Sequence, residues 1–334
     1  MLAKRVLLLF QPKRCRAYSN ATETQTRKVT VLPDASVDTF RSQAYGPAIP
    51  VLLPRHTFQQ LPAVQKWFAI DTPTTTLKRS YLARYGSTIV PLEISNNEHF
   101  SRTEQSLSFF LECVHASSSS YKTRPNRYFS AYVPGARAVK RMKLSNDFFS
   151  AAAVTVAQDS TLYPSVTTPS ARVYLAQAAI TSLPQGLRDD VPTPDLVLKT
   201  GKGDVYDSSI WLGEAPTYTP LHRDPNPNLF VQLAGTKVVR LVKPEVGRSI
   251  FAKVQERIEG SASDVMRGEE MMKGAEKKAL ESEIWDDDHV KEHNAPVWEA
   301  QLNAGDGLFI PKGWWHSVKG IGTGMTGSVN WWFR

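Results

Sequence analysis

The stretch WLGEAPTYTPLHRDPNPNLFVQLAGTK, residues 211–237, constrains this chain more than any other. Within it His222 and Asp224 are two residues apart, and in extended backbone that spacing turns both side chains to one face. An imidazole and a carboxylate so placed supply two ligands to one ion. A third is available 92 residues beyond Asp224, in GDGLFIPKGWWHSV, where His316 follows a Gly-Asp-Gly turn and a short apolar run of strand character. Two histidines and one carboxylate on one face of an octahedral ion leave positions open for chemistry, the donor set of non-haem Fe(II) oxygenases.

A bare His-x-Asp triplet recurs by chance, so the residues spaced around it decide its meaning. Thr219 stands three residues before His222, Asn228 six after it and Lys237 fifteen after it, while Asn330 and Trp332 follow His316 in SVNWWF. On TPLHRDPNPNLFVQLAGTKVVRL, GDGLFIPKGWWHSV and GSVNWWF the sequence resembles the JmjC-domain oxygenases. Within them it resembles the compact hydroxylase branch that includes the asparaginyl hydroxylase factor inhibiting HIF. The likeness continues through VYLAQAAITSLPQGLRDDVPTPD and YGSTIVPLEIS, and more faintly through AIPVLLPRHTFQQLPAVQKW. It covers most of residues 48–333, apart from one divergent insertion.

The resemblance implies a mainly β fold with surrounding helices, a double-stranded β-helix of the jelly-roll or cupin kind, in which strands far apart in sequence bring His222, Asp224 and His316 together as metal ligands. It implies Fe(II), 2-oxoglutarate as cosubstrate and O2. The far carboxylate of the cosubstrate needs a buried cation and hydroxyl donors, and the resemblance assigns these to Lys237, Thr219 and Tyr174. Asn228 and Asn330 are implied to bond the carboxylate near the metal or to position oxygen, and Trp332 to wall the pocket. Hydroxylation of a protein substrate is expected ahead of demethylation. No helices follow SVNWWFR of the kind through which the HIF hydroxylase dimerises, so that dimer is not expected to carry over and the oligomeric state stays open.

The formal charge of +8 invites a nucleic-acid partner until it is divided along the chain. Lys4, Arg5, Lys13, Arg14 and Arg16 lie in MLAKRVLLLFQPKRCRAYSN, and no acid appears before Glu23. A basic, amphipathic, acid-free start has the composition of a mitochondrial presequence, and Arg16-Ala17-Tyr18-Ser19 resembles a matrix-processing site. Residues 1–18 are therefore expected to direct the chain to the mitochondrial matrix. Residues 19–39 are expected to be a flexible lead-in to a domain over 40–334. With Cys15 lost to processing, Cys113 alone makes no intramolecular disulfide, which excludes a disulfide-stapled secreted protein. No apolar run approaches the roughly 20 residues that span a bilayer, so a soluble protein with no membrane partner is expected.

Along the rest of the chain the patterning predicts a short strand over 50–53, a helix over 63–68 and two short strands around Gly86 within 82–94. An amphipathic helix is expected over 103–114, burying Leu107, Phe110, Leu111 and Val114. A core strand is expected in SARVYLAQAAI, a surface connection over 183–195, and a strand pair over 230–242 turning at Gly235-Thr236. Residues 249–298 are helical in composition and carry thirteen acidic against seven basic residues between Phe251 and Glu299. They read as an acidic insertion that is a lid, a docking surface or neither.

Residues 122–143 mix Lys122, Arg124, Arg127, Arg137, Lys140, Arg141 and Lys143 with aromatics such as Tyr128, Phe129 and Tyr132. Such a segment is a solvated loop anchored by its aromatics, a grip on RNA, or a seat for an acidic protein. Two alternatives to the protein hydroxylase follow: a catalytically silent cupin-like protein bound to mitochondrial RNA or the ribosome, and an RNA-base hydroxylase. His289 and His293 are spaced i, i+4 but lack the glutamate of an H-E-x-x-H motif, and Gly322–Gly327 has no βαβ unit around it, so neither carries a site.

Overall fold

The computed structural model describes residues 26–71, 74–95, 100–120, 172–260, 272, 274–292 and 295–334. The chain enters through β1 (Thr26–Lys28) and β2 (Thr30–Val31), then α1 (Val37–Phe40), β3 (Val51–Leu52) and α2 (Pro62–Trp67). A small hairpin, β4 (Phe68–Asp71) and β5 (Thr74–Leu77), leads to α3 (Arg79–Leu82), β6 (Ile89–Ser95), β7 (Phe100–Ser106) and α4 (Leu107–Ser120). After β8 (Arg172–Ala179), α5 (Gln185–Arg188) and α6 (Asp195–Thr200), four strands run in close succession: β9 (Val205–Glu214), β10 (Thr217–Arg223), β11 (Asn228–Ala234) and β12 (Thr236–Val242). The insertion supplies α7 (Pro244–Arg257), α8 (Gly274–Trp285) and α9 (Asp287–Glu292). Strands β13 (Val297–Leu302), β14 (Gly307–Ile310), β15 (Trp315–Ile321) and β16 (Met325–Phe333) complete the fold.

Among the described residues these strands form two main sheets, one ordered β1-β13-β12-β15-β10 and the other β2-β3-β14-β11-β16-β9-β8-β6-β7. This is the mainly β, jelly-roll architecture with helices outside it. Alternation along each strand sends one set of side chains between the sheets and the other outward. Phe230, Val239, Leu241, Leu308, Ile310 and Val318 fill part of the space between. Phe40, Trp67, Leu82, Phe110 and Trp331 pack the outside of the larger sheet under the N-terminal helices. Leu221, Val242, Val297 and Trp315 cover the outside of the smaller sheet with Ile250, Val254, Leu280, Ile284 and Val290 of the insertion.

Several expectations change. The lead-in is ordered from Thr26 onward: β1 pairs in parallel with β13 and β2 with β3, because the TRKVTV alternation suits an edge strand and buries Val29. Residues 82–94 hold one strand rather than two, since a helical turn, Ala83–Tyr85, occupies the start and β6 pairs with β7. The helix expected over 103–114 begins only at Leu107, yet Leu107, Phe110, Leu111 and Val114 are its buried residues as anticipated. The connection over 183–195 is not a surface segment throughout: Leu183, Leu187, Asp190 and Val191 are buried. Strands β11 and β12 do not pair. Gly235, at φ +68, turns the chain out of one sheet and into the other, so consecutive strands face each other across the interior.

In its described residues the insertion is a packed layer. Ile250, Val254, Leu280 and Ile284 are all at most 1% exposed, and burying each such side chain is worth about 1.5–3 kcal/mol. Its acids Asp286, Asp287 and Asp288 face solvent.

Candidate metal centre

Strands β10 and β15 pair antiparallel with His222 directly opposite His316, so the 92-residue separation collapses to one cross-strand contact, with ring centroids 4.3 Å apart. Both rings point between the sheets. Asp224 lies just past the end of β10, and its Oδ1 stands 3.8 Å from His222 Nε2 and its Oδ2 3.6 Å from His316 Nε2. One ligand atom from each of the three falls within 4.8 Å of the others, and all three residues are buried.

The donor chemistry fits a divalent ion. His222 Nδ1 lies 2.8 Å from the carbonyl of Pro220, and His316 Nδ1 3.3 Å from that of Trp314. An Nδ1–H given to a carbonyl fixes the tautomer and leaves Nε2 as a lone pair aimed at the shared centre. Burial, then the neighbouring His316, pushes the His222 pKa down to about 4 against the opposing pull of Asp224. The ring is thus neutral, and able to ligate, throughout the physiological range. Asp224 Oδ2 accepts from Asn228 Nδ2 at 2.9 Å and from Trp332 Nε1 at 2.8 Å. Asn330 Nδ2 in turn donates to Asn228 Oδ1 at 3.0 Å. The carboxylate is held rigid through one oxygen while the other faces His222.

A cavity of about 400 Å³ opens beside the three ligands and is lined by Tyr174, Thr219, Asn228, Lys237, Ser328 and Trp332 among others. Lys237 projects into it from β12 and is only 3% exposed. Its Nζ donates to Ser328 Oγ at 2.7 Å and lies 3.4 Å from Tyr174 Oη, and among the described residues no carboxylate pairs with it. Burial alone pulls its pKa down to about 7. A desolvated ammonium with hydroxyl neighbours and no anion is a costly arrangement that a bound carboxylate relieves. Tyr174 is half-buried, and desolvation of its hydroxyl followed by the charge of Glu93 raises its pKa, so the hydroxyl keeps its proton. Its ring lies against Gly213, where a Cβ would collide with it.

Sequence reasoning thus named residues that the fold brings together: His222, Asp224 and His316 at the centre, Asn228, Asn330 and Trp332 behind the carboxylate, and Lys237, Tyr174 and Thr219 along the cavity. Trp332 does more than wall the pocket, because its indole N–H bonds the Asp224 carboxylate. Ser328, the nearer partner of Lys237, was missed. The signal was present in GSVNWWF: Ser328, Asn330 and Trp332 alternate along β16 and share its inward face. Of the two rejected motifs, His289 has its Nδ1 2.7 Å from Ser282 Oγ and Gly322–Gly327 spans the turn from β15 to β16, both away from the centre, while His293 lies outside the described residues. Residues 1–18 and 122–143, and with them the presequence and the basic segment, lie outside the described residues. No helix among the described residues is long and apolar enough to cross a membrane.

Comparison with known proteins agrees with this geometry. A family model described as a cupin-like domain matches residues 37–334. The chain is 29% identical over 165 residues to the lysine-specific demethylase JMJ30 of Arabidopsis thaliana, covering 49% of this chain and 34% of that protein. It is 26% identical over 266 residues to JmjC domain-containing protein F of Dictyostelium discoideum, covering 76% and 52% respectively. Lysine-specific demethylase 8 of Danio rerio is 28% identical over 162 residues, 48% of this chain and 36% of that one. The matched region spans between a third and about half of these relatives' own length. By their names these relatives support the resemblance to JmjC proteins without selecting the hydroxylase branch. The chain belongs to the cupin-like domain family.

Proposed function

We propose that this chain is an Fe(II)- and 2-oxoglutarate-dependent oxygenase that hydroxylates a protein side chain. The observation that carries the reading is the buried His222, Asp224, His316 set sharing one cavity with a buried ammonium, Lys237, that has no anionic partner among the described residues. The three ligands would hold Fe(II), and Lys237 with Tyr174, Ser328 and Thr219 would hold the far carboxylate of 2-oxoglutarate. When bound, the metal, cosubstrate and O2 supply an oxidant able to take a hydrogen atom from a substrate C–H bond, with succinate and CO2 as co-products. The protein's own part is positional. Asn228 and Trp332 fix the orientation of Asp224, Asn330 fixes Asn228, and the His222 and His316 rings are oriented by the backbone carbonyls of Pro220 and Trp314. Walls such as Phe230 and Val318 keep bulk water from the reacting centre.

The names of the relatives favour a second reading on the same site, removal of a lysine N-methyl group. Hydroxylation of an N-methyl carbon gives a hemiaminal that releases formaldehyde, so the two readings share one C–H step and part only in substrate. An anaerobic titration with Fe(II) and 2-oxoglutarate tests the shared part. A weak visible charge-transfer band is expected for the wild type and none for Asp224→Ala; absence of the band in folded wild type would sink the oxygenase reading. Mass spectrometry of candidate proteins then separates hydroxylation, a gain of one oxygen, from loss of a methyl group.

We further place the enzyme in the mitochondrial matrix, on the strength of the acid-free basic composition of residues 1–18. Protease-protected import of the full chain into isolated mitochondria, lost when those residues are removed, is the expected outcome. The silent RNA-binding alternative rests on residues 122–143. It predicts salt-sensitive RNA association that survives His222→Ala, and the oxygenase reading does not require that association.

A further inference from the structure

The two strands that carry the histidine ligands do not run in simple register. Thr219 pairs with Val318 and His222 with His316, so Pro220 and Leu221 on β10 together face the single residue Ser317 on β15. The extra residue is a bulge, and it sets the phase that turns His222 inward opposite His316. Pro220 has no N–H to give the ladder, and the bulge leaves carbonyls that need other partners. The Pro220 carbonyl lies against the His222 ring, as described above. The Thr219 carbonyl accepts from Ser317 Oγ at 2.8 Å.

Ser317 is fully buried and points outward from the sheet, toward the insertion, where its Oγ accepts from Trp285 Nε1 at 2.8 Å. Trp285 is the last residue of α8. Its ring lies between the Arg240 guanidinium, 4.9 Å from the centroid, and the Lys319 ammonium, 4.7 Å from it. Arg240 also donates to the Ile284 carbonyl at 3.0 Å, and Lys319 pairs with Glu281 at 2.7 Å, so α8 is fastened to β12 and β15 on both sides of the indole. Such cation–π contacts and ion pairs locate the ring, while its one N–H reaches the serine beside a metal ligand.

From this juxtaposition we infer that Trp285 is a positioning residue for the metal centre, acting from the divergent insertion through Ser317 on the Thr219–Leu221 bulge. The relay runs from the indole N–H to the serine hydroxyl and on to the Thr219 carbonyl. It holds the backbone that aims His222 and places Thr219, without touching metal or cosubstrate. The insertion is thereby a brace for the active strands, and this role rests on the metal-centre reading proposed above.

Cobalt(II) titration of the full chain, followed by its visible ligand-field bands, tests the relay together with amide hydrogen exchange of the metal-free protein. Trp285→Phe keeps the ring and removes the donor, and Ser317→Ala removes the hydroxyl. Each is expected to weaken cobalt affinity by about tenfold, the usual scale for groups that orient metal ligands. Each is also expected to alter the ligand-field bands and to speed exchange of the Leu221 and His222 amides. Because the two act in series, the double variant should be no worse than Ser317→Ala alone. A lowered melting temperature with unchanged cobalt affinity, bands and exchange would mean that Trp285 only packs, and additive losses would mean that it does not act through Ser317; either overturns the inference. Failure of the wild type itself to bind cobalt would instead overturn the metal reading, and the exchange measurement would still decide whether the indole holds the bulge.

Discussion

Two buried carboxylates lie at opposite faces of the larger sheet and are treated differently by the chain. Asp190, between the short helices α5 and α6 and wholly inaccessible, accepts from Lys66 Nζ at 2.7 Å on one oxygen and from Trp67 Nε1 at 2.8 Å and Tyr81 Oη at 2.6 Å on the other. Asp224, between the sheets, has two donors on Oδ2 and, among the described residues, none on Oδ1, which faces a histidine nitrogen with a free lone pair. Asp190 is a finished structural joint. Among the described residues Asp224 and its neighbour Lys237 are left unfinished, a carboxylate oxygen without a donor and an ammonium without an anion. A fold spends its buried charges on complete networks unless something else is meant to complete them, and the difference marks function more sharply than burial does.

The largest effect should come from removing the unfinished carboxylate. Asp224→Ala is expected to abolish turnover and the charge-transfer band while leaving the fold intact, read by anaerobic titration beside a thermal melt. Lys237→Met should come next. Loss of the cation is expected to raise the 2-oxoglutarate Kd by about 100-fold or more, as truncating a buried charge pair costs 2–5 kcal/mol. It should also stabilise the cosubstrate-free protein, because a desolvated ammonium is removed. The folded pKa of about 7 lies below the ordinary lysine value of 10.5, so the unfolded chain binds more protons between those pH values. Wild-type stability relative to Lys237→Met should therefore rise as pH increases from about 7 towards 10.5. Cosubstrate affinity should move the other way, falling above about pH 7 as the ammonium loses its proton, which calorimetry across that range would read. A flat profile would mean that Lys237 is already neutralised by something other than the cosubstrate.

Trp332→Phe tests how far the donors behind Asp224 matter. It removes one of the two bonds to Oδ2 and keeps an aromatic wall, so Fe(II) affinity should fall about 10-fold to 100-fold while 2-oxoglutarate affinity, measured at saturating metal, changes little. Equal losses in both would place Trp332 in the cosubstrate pocket rather than behind the ligand.

Much of this site was legible because a strand writes its faces every second residue. His222 with Asp224 is such a pair, whereas Asn330, Trp332 and Lys237 were found through the family resemblance, which gives meaning to their distances from the two histidines. What the pattern concealed was pairing. Nothing in the one-dimensional alternation of residues 228–242 distinguishes a hairpin from two strands that turn at Gly235 into opposite sheets, since both bury the same faces. Ser317 was invisible for a similar reason: an outward serine beside a ligand looks like a solvated position until the partner packed over that face, here Trp285 of α8, is known. Thr26–Val31 looked polar enough to be loose, and only the edges of β13 and β3 explain its order.

The smallest effect on the site should come from Asp190, and it is the sharpest check on the comparison. An asparagine there keeps one carbonyl oxygen but loses the second acceptor, so of Lys66, Trp67 and Tyr81 at least one donor is left without its partner. A buried donor so stranded costs about 1–3 kcal/mol. Asp190→Asn should therefore lower the melting temperature measurably, because its carboxylate ties α2 and α3 to the segment between α5 and α6, while the Ala63 N–H to Asp190 carbonyl bond of 2.9 Å is untouched. Fe(II) and 2-oxoglutarate affinities should stay at their wild-type values below the transition. If metal affinity fell in step with stability, the helical layer and the metal-bearing interior would be one cooperative unit. The division between a finished joint and an unfinished site would then fail as a description of how this chain uses its buried charges.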